Sequence, residues 1–403
     1  MKKSLSVFAV FLVFLAMGFG DAANQLVSIV QEAFHVTPFT ASFVSLFGMI
    51  MFGILSVPTG VMQSKIGKKK MLVIGLIVFL LGAILPALAF SFPMILAAVM
   101  LMGAGATILQ VAGNPLMKDV SAEGKYSSNL SFAQSVKAIG TLSTSLIIAL
   151  VGTSLMKHSW FCIENTNAGG EPINAGFRIL FPIFAAILLI TLIMVTIYVP
   201  NNKNSDEKPT TIGKCIAALG NSYILMMFFG IFFYCGAEAS MFGRIPSILS
   251  ANANIAPSTG NIVLIIALFI GRFLGGIILR KMKPNTFLFI TIAVSAIGNI
   301  LLFMPYNPVT TWLSFILVGI GFANIFPLIF SMCIERYPNL SNEISGLMTT
   351  AIVGAAFVPL LTGLAANANP RYAFIVTLAC LAYIMFVAIM NTKKANMSYP
   401  EKK

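Results

Sequence analysis

The sequence predicts an all-α membrane protein with twelve transmembrane helices in two pseudo-symmetric six-helix bundles. Of its 403 residues, 58% are hydrophobic and only 9% are charged, whereas about a quarter of the residues in a soluble domain carry a charge. Apolar runs long enough to cross a bilayer occur twelve times, and landmarks of the first half return in the second half. This composition argues against a water-soluble enzyme, a nucleic-acid-binding protein and a disordered chain.

The length and continuity of the apolar runs define the predicted spans. A helix needs about 20 apolar residues to cross the hydrocarbon core, and barrel strands would instead alternate over about 10 residues. The first run also resembles a cleavable signal peptide, but the apolar residues that follow Asp21 favour a full span. The spans are predicted at residues 4–30, 41–62, 71–90, 93–117, 128–156, 178–199, 216–241, 258–280, 285–304, 309–333, 343–366 and 371–391.

The distribution of basic residues predicts the orientation of these spans. With the N-terminus inside, the inner segments hold 19 of the 25 Lys and Arg residues and the outer segments hold 4. Because positive residues concentrate on the cytoplasmic side, we expect both termini in the cytoplasm. The net charge of +13 is therefore interpreted as topology rather than as affinity for an acidic partner.

Cysteine and histidine give no sign of a metal or redox centre. The five cysteines are scattered and form no metal-binding spacing, and the two histidines fall near predicted loop ends. We expect no disulfide, no metal ion, no cofactor and no catalytic residue.

The chain divides into two related halves at a polar segment. We place an N-terminal bundle at residues 1–199, a cytoplasmic linker at 200–215 and a C-terminal bundle at 216–403. Four features recur at offsets between 210 and 217 residues: Lys68 and Lys281, Asn114 and Asn324, Ala138 and Ala351, and Asp21 and Glu238. Such duplicated halves are typical of transporters whose substrate site lies near the membrane midplane.

Polar side chains inside the spans mark candidate functional positions. A polar or charged group in the hydrocarbon is costly unless it is paired or faces water. Helical spacing places several such groups on common helix faces, which predicts a polar cavity, although polar residues also tie helices together. The stripes comprise Asp21, Asn24, Gln25 and Ser28; Thr107, Gln110 and Asn114; Ser131, Gln134, Lys137 and Thr141; and Tyr234 and Glu238.

Two basic residues fall within predicted spans. Lys137 must be either uncharged or paired with a carboxylate, and Asp21 and Glu238 are the acids predicted at comparable depth. We predict an ion pair with one of them across the cavity, where it would change during transport; a static structural pair is the alternative. Arg272 lies in the inner part of its span, and we interpret it as structural, because we expect it to extend toward the cytoplasm.

The loop GVMQSKIGKKK, from Gly60 to Lys70, resembles the major facilitator signature G-x-x-x-D-R-x-G-R-R-[KR]. Ser64 stands where that family usually has Asp, which weakens the charge relay ascribed to this loop. A run of lysines is also common in ordinary cytoplasmic loops. Three further stretches resemble the fucose permease and glucose/galactose transporter family of major facilitators: LQVAGNPLM at 109–117, SFAQSVKAIGTL at 131–142, and GFANIFPLIFSMCIE at 321–335 with SGLMTTAIVGAAFVPLLTG at 345–363.

This resemblance implies the major facilitator fold and the activity of a sugar:proton symporter. Asp21 matches the acid of the first helix that couples the proton, and Gln134 matches a glutamine that binds sugar. Two positions depart from the fucose permease: Gln110 replaces a second acid, and Lys137 replaces an asparagine that contacts sugar. Glu238 is then the candidate to take over as proton carrier or sugar ligand.

We therefore expect a secondary active transporter that imports a monosaccharide, with a hexose as the expected case, together with protons by alternating access. It would work as a monomer in the bilayer of the bacterial inner membrane and bind no nucleic acid. The expected proton-coupling residues are Asp21, Glu238 and Lys137. The expected substrate-binding residues are Asn24, Gln25, Gln110, Asn114, Gln134, Lys137, Tyr234, Glu238 and Asn324.

Other functions remain open at this point. Sodium coupling and an uncoupled sugar facilitator fit the same residues. An efflux antiporter would need a wider and more aromatic cavity, and a sugar sensor would need a signalling tail. An intramembrane enzyme would need a nucleophile with a base or a metal cluster, and no histidine falls within a predicted span.

Overall fold

The computed structural model describes residues 2–20, 30, 34, 36–88, 91–154, 162–166, 172–174, 180–200, 210–253, 257–304 and 307–395. These residues are almost entirely helical. The first six helices are α1 (Lys2–Gly20), α2 (Pro38–Ile66), α3 (Lys68–Leu88), α4 (Phe92–Val120), α5 (Tyr126–Ser154) and α6 (Leu180–Tyr198). Between α5 and α6, β1 (Cys162–Thr166) pairs with β2 (Pro172–Asn174) as an antiparallel hairpin.

The remaining helices follow the polar segment near residue 205. They are α7 (Ile212–Ala218), α8 (Ser222–Ala253), α9 (Pro257–Ile278), α10 (Pro284–Leu301), α11 (Pro308–Phe322), α12 (Ile325–Arg336), α13 (Ser341–Thr350), α14 (Gly354–Ala368) and α15 (Ala373–Ala395). Short 3-10 turns lie at Pro338–Leu340, Ala351–Val353 and Pro370–Tyr372.

Every predicted apolar run overlaps a helix, and the chain is a multi-pass membrane protein. Eight helical stretches within the described residues are long and apolar enough to cross a bilayer, and Leu5–Gly20 and Ile262–Ile278 are shorter apolar helices. Two predicted spans are interrupted, one between α11 and α12 and one between α13 and α14. The span predicted from residue 216 starts instead at Ser222, after the separate short helix α7.

The chain forms two compact units. The first comprises Met1–Val120 and Val136–Thr210, and the second comprises Ser121–Ser135 and Thr211–Lys403. The predicted halves differ from these units mainly at residues 121–135, which belong to the second unit although they precede the linker. Two hydrogen bonds explain this placement: the Ser127 and Ser331 hydroxyl oxygens lie 2.7 Å apart, and Ser128 Oγ donates to the Gly276 carbonyl at 2.6 Å.

A close helix crossing built on two glycines occurs in each unit. In the first unit, a Cβ on Gly18 of α1 would lie 2.8 Å from the Gly140 Cα of α5. In the second unit, a Cβ on Gly236 of α8 would lie 2.9 Å from the carbonyl oxygen of Gly354, which begins α14. Since side chains would push these backbones apart, only glycine allows the close approach. Gly18 and Gly236 are 218 residues apart, and Gly140 and Gly354 are 214 residues apart. Both separations are close to the offsets of the other repeated landmarks.

In the first unit, the lysine-rich loop is anchored by side chains that flank it. Lys68 Nζ contacts Asp119 Oδ2 at 2.7 Å, which ties the start of α3 to the end of α4. Ser64, which replaces the usual carboxylate, donates from Oγ to the Val61 carbonyl at 2.8 Å and accepts the Thr210 amide at 2.9 Å. The serine therefore binds the backbone that follows the polar segment.

Candidate functional site

The second unit contains a buried polar cluster centred on the Glu238 carboxylate. Tyr234 and Glu238 lie one turn apart on α8, as the sequence predicts, and Tyr234 Oη donates to Glu238 Oε1 at 2.7 Å. Arg272 of α9 approaches the same oxygen with Nη2 at 3.3 Å. The Arg272 and Glu238 side chains are only 12% and 22% exposed, so this ion pair is shielded from bulk solvent.

The Arg272 guanidinium contacts three different segments of the second unit. Besides Glu238, it donates from Nε to the Ala323 carbonyl at 3.2 Å and from Nη1 to the Gln134 carbonyl at 3.4 Å. The expectation that Arg272 extends toward the cytoplasm is therefore wrong. A carboxylate and two carbonyl oxygens lie within its reach and satisfy the charge inside the protein.

The interruption between α11 and α12 creates one of these acceptors. Pro327 has no backbone N–H, so the carbonyl four residues earlier, at Ala323, receives no helical hydrogen bond from it. Arg272 supplies the missing donor. The helix resumes at once, because the Leu328 amide donates to the Asn324 carbonyl at 3.0 Å.

Asn324 lies at this interruption and turns its amide toward α9. Its Nδ2 donates to the Gly271 carbonyl at 2.7 Å, and the side chain is 1% exposed. A Cβ at Gly275 would overlap the Asn324 amide group, so the glycine makes room for it. Within the described residues, Asn324 Oδ1 has no hydrogen-bond partner.

The first half of α5 adds two more buried polar groups to the second unit. Gln134 is 3% exposed and Ser131 is fully buried. Gln134 Nε2 and Ser131 Oγ find no hydrogen-bond partner in the part of the chain that the structure describes. Buried polar atoms usually have a hydrogen-bond partner, so these two atoms are candidates for contact with a polar ligand or water.

Aromatic rings surround the Tyr234 side chain. Tyr234 is 1% exposed, and its ring centroid lies 5.9 Å from that of Phe322 and 6.5 Å from that of Phe326. These rings provide apolar surface next to the polar cluster. A carboxylate, a guanidinium, amides, a hydroxyl and an aromatic surface together match the needs of a polyhydroxylated ligand with apolar C–H faces.

The first unit holds the other predicted site residues that the structure describes. Gln110 and Asn114 are buried on α4. On the same helix, Thr107 Oγ1 donates to the Gly103 carbonyl at 2.7 Å, so this hydroxyl hydrogen-bonds within α4. Lys137 is half-buried on α5. Its predicted pairing with Asp21 or Glu238 stays a prediction.

Four residues of the predicted first stripe, Asp21, Asn24, Gln25 and Ser28, lie outside the described residues. Of the remaining site residues, the structure brings Gln134, Tyr234, Glu238 and Asn324 together in the second unit, and Arg272 joins them. The sequence offered two signals for the role of Arg272. It is a basic residue inside an apolar span, and Pro327 in another span leaves a backbone carbonyl without its helical donor.

Comparisons with known proteins agree with this architecture. The family model described as Major Facilitator Superfamily matches residues 7–353. A putative glucose/galactose transporter of Helicobacter pylori is 28% identical over 98% of this chain and 99% of its own length. A glucose/galactose transporter of Brucella abortus is 26% identical over 95% and 93%, and the L-fucose-proton symporter of Escherichia coli is 23% identical over 91% and 88%.

Solved structures show the same fold. A crystal structure of the E. coli fucose:proton symporter has a TM-score of 0.79 at 19% identity and covers 97% of this chain and 99% of its own. The proton:xylose symporter bound to 6-bromo-6-deoxy-D-glucose has a TM-score of 0.74 at 13% identity, covering 97% and 95%. The predicted fold class and the resemblance drawn from the sequence motifs are thus confirmed. Because the family model spans most of the chain, this protein belongs to the Major Facilitator Superfamily.

Proposed function

We propose that this protein is a secondary active transporter that imports a monosaccharide, with a hexose as the expected substrate, together with protons. The observation that carries this proposal is the Glu238 carboxylate, held by Tyr234 and by Arg272, which also contacts the backbone at Gln134 and at Ala323 beside Asn324. The Gln134 and Asn324 side chains each have a buried amide atom with no partner among the described residues. Relatives named for glucose, galactose and fucose transport support the choice of substrate class.

Sugar recognition would use the unsatisfied groups of the second unit. The Gln134 Nε2 donor and the Asn324 Oδ1 acceptor suit sugar hydroxyls, which can both donate and accept. Tyr234 is the proposed aromatic contact for the C–H face of a pyranose, and because its side chain is 1% exposed, the site would have to open to uncover the ring. Further proposed sugar-binding residues belong to the first unit, where each is a polar residue inside a predicted span. They are Asn24, Gln25, Gln110, Asn114 and Lys137.

Proton coupling would use Glu238, Asp21 and Lys137. When a proton binds the Glu238 carboxylate, the residue becomes neutral and its attraction to Arg272 falls. The protonated carboxyl also gains an O–H donor that can contact a sugar oxygen. Protonation and substrate binding would therefore act on the same group, which links the two equilibria.

The proposed setting is the bacterial inner membrane, with both termini in the cytoplasm and the protein acting as a monomer in the bilayer. The excess of Lys and Arg in the predicted inner segments supports this orientation. Sugar and protons are the proposed partners, and no nucleic acid is involved.

Uptake into proteoliposomes tests the proposal. With an inward pH gradient, radiolabelled D-glucose, D-galactose or L-fucose should accumulate above the external concentration, and a protonophore should abolish the accumulation. Asp21→Asn should lose accumulation driven by the gradient. Gln134→Ala should weaken sugar binding about tenfold, the value of one lost hydrogen bond in a buried site.

Arg371→Gln provides a matched control, because Arg371 is an exposed cation outside the site. It should transport like the unmodified protein. Accumulation driven by a sodium gradient alone would show that the coupling ion is Na⁺ and not the proton. Failure to accumulate any monosaccharide under either gradient would refute the proposed function.

A further inference from the structure

We propose that Arg272 is a positioning residue that links the charge of Glu238 to the docking of residues 121–135 on the second unit. The inference goes beyond the proposed function, because it concerns a conformational link that does not depend on which solute is carried. It rests on contacts that lie entirely within the second unit.

The three nitrogens of the Arg272 guanidinium serve three separate elements. Nη2 contacts Glu238 on α8, Nε contacts the Ala323 carbonyl at the α11–α12 interruption, and Nη1 contacts the Gln134 carbonyl on α5. The planar guanidinium fixes the directions of these donors relative to one another. A change at one contact therefore reorients the other two.

Residues 121–135 also make contacts with the rest of the second unit that involve neither Glu238 nor Arg272. Ser127 and Ser128 make neutral hydrogen bonds to Ser331 and the Gly276 carbonyl. The Phe132 ring packs edge-on against Phe273 with centroids 5.6 Å apart. The Arg280 guanidinium lies 5.3 Å from the Phe132 ring centroid.

The Arg272 contacts provide a route from Glu238 to this docked segment. A hydrogen bond between two charged groups is stronger than a neutral one, so the carboxylate holds the guanidinium in place. The bond from Nη1 to the Gln134 carbonyl is long at 3.4 Å. Loss of the Glu238 charge frees the guanidinium to rotate, and the weak bond to Gln134 is the first to be lost.

The position of α5 in the fold gives this loosening a consequence. The helix is continuous, but its residues belong to the second unit up to Ser135 and to the first unit from Val136. A carboxylate that controls how firmly residues 126–135 are docked would therefore act on the part of α5 that belongs to the second unit.

Hydrogen–deuterium exchange of the full-length protein in detergent, without sugar and at one fixed pH, tests this link. Glu238→Gln keeps the shape of the side chain and removes its charge. We expect the amides of residues 126–135 to exchange about tenfold faster, which corresponds to about 1.4 kcal/mol of lost docking free energy. The amides of α10 should be unaffected.

Arg272→Lys distinguishes positioning from charge alone. Lysine keeps a cation near Glu238, but its single nitrogen cannot reach three acceptors on three elements. Residues 126–135 should therefore also exchange faster in this variant. The control Arg371→Gln, which removes an exposed cation from the same unit, should leave their exchange unchanged.

A second readout covers the case in which Arg272→Lys folds poorly. With the native cysteines replaced, Ser127→Cys combined with Ser331→Cys should form a disulfide readily, since the two hydroxyl oxygens lie 2.7 Å apart. Adding Glu238→Gln should slow this reaction several-fold. The link is refuted if Glu238→Gln leaves both exchange and cross-linking unchanged, or if exchange rises equally throughout the second unit.

Discussion

The ion pair between Arg272 and Glu238 predicts strong coupling between two substitutions. Removing either partner leaves the other charge in a shielded site, since the side chains are only 12% and 22% exposed. Breaking a fully buried pair costs about 3–5 kcal/mol, and a hydrogen bond to a charged group contributes about 1.5–3 kcal/mol. Because this pair keeps some exposure, we expect Arg272→Gln or Glu238→Gln to cost about 2 kcal/mol each.

The double variant should recover part of that loss. With both charges gone, no uncompensated charge is left inside the protein, and the coupling free energy should reach about 1–2 kcal/mol. A thiol-reactive fluorogenic dye can follow thermal unfolding, because the thiols of Cys215, Cys235 and Cys333 are buried in the folded protein and become accessible when it unfolds. The double variant should unfold at a higher temperature than the sum of the single effects predicts. Strictly additive effects would show that the two side chains do not stabilise each other.

Two further predictions concern packing and surface charge. Gly354→Ala should destabilise the protein by about 1–3 kcal/mol, because the new Cβ would overlap the Phe232 carbonyl. Gly213→Ala is the control in the same thermal unfolding assay, because the nearest atom to its new Cβ, Thr211 Oγ1, would lie 4.0 Å away without a clash. Asp119→Asn should cost about 1 kcal/mol or less, because the carboxylate paired with Lys68 is 29% exposed. That difference should shrink at high salt, where the exposed part of the pair is screened, and a large effect independent of salt would contradict this reasoning.

The sequence predicts the helices well, because each span is a local property of about 20 consecutive residues. It does not predict where a helix is interrupted. Pro327 alone signals a free carbonyl at Ala323, but proline also occurs inside α2 at Pro58 without ending the helix. The break at Asn324 depends on donors and acceptors supplied by α9, and these contacts arise only when the chain folds.

The candidate site was predictable in part for the same reason. Helical spacing places Tyr234 next to Glu238, and the structure joins them by a hydrogen bond. The partner of the carboxylate was missed, because an arginine near the end of a span can either extend to the surface or bind inside. Likewise, nothing local to α5 shows that its first residues, up to Ser135, pack in the second unit.

The most direct test of proton-coupled sugar import is the current produced when sugar is added to proteoliposomes on a solid-supported membrane. A neutral monosaccharide that moves with a proton carries positive charge inward. D-Glucose or D-galactose should therefore produce an inward current in sodium-free buffer, and Glu238→Gln should reduce it strongly while Arg371→Gln leaves it intact. Sugar uptake without any current, or a full current in Glu238→Gln, would contradict coupling through this carboxylate.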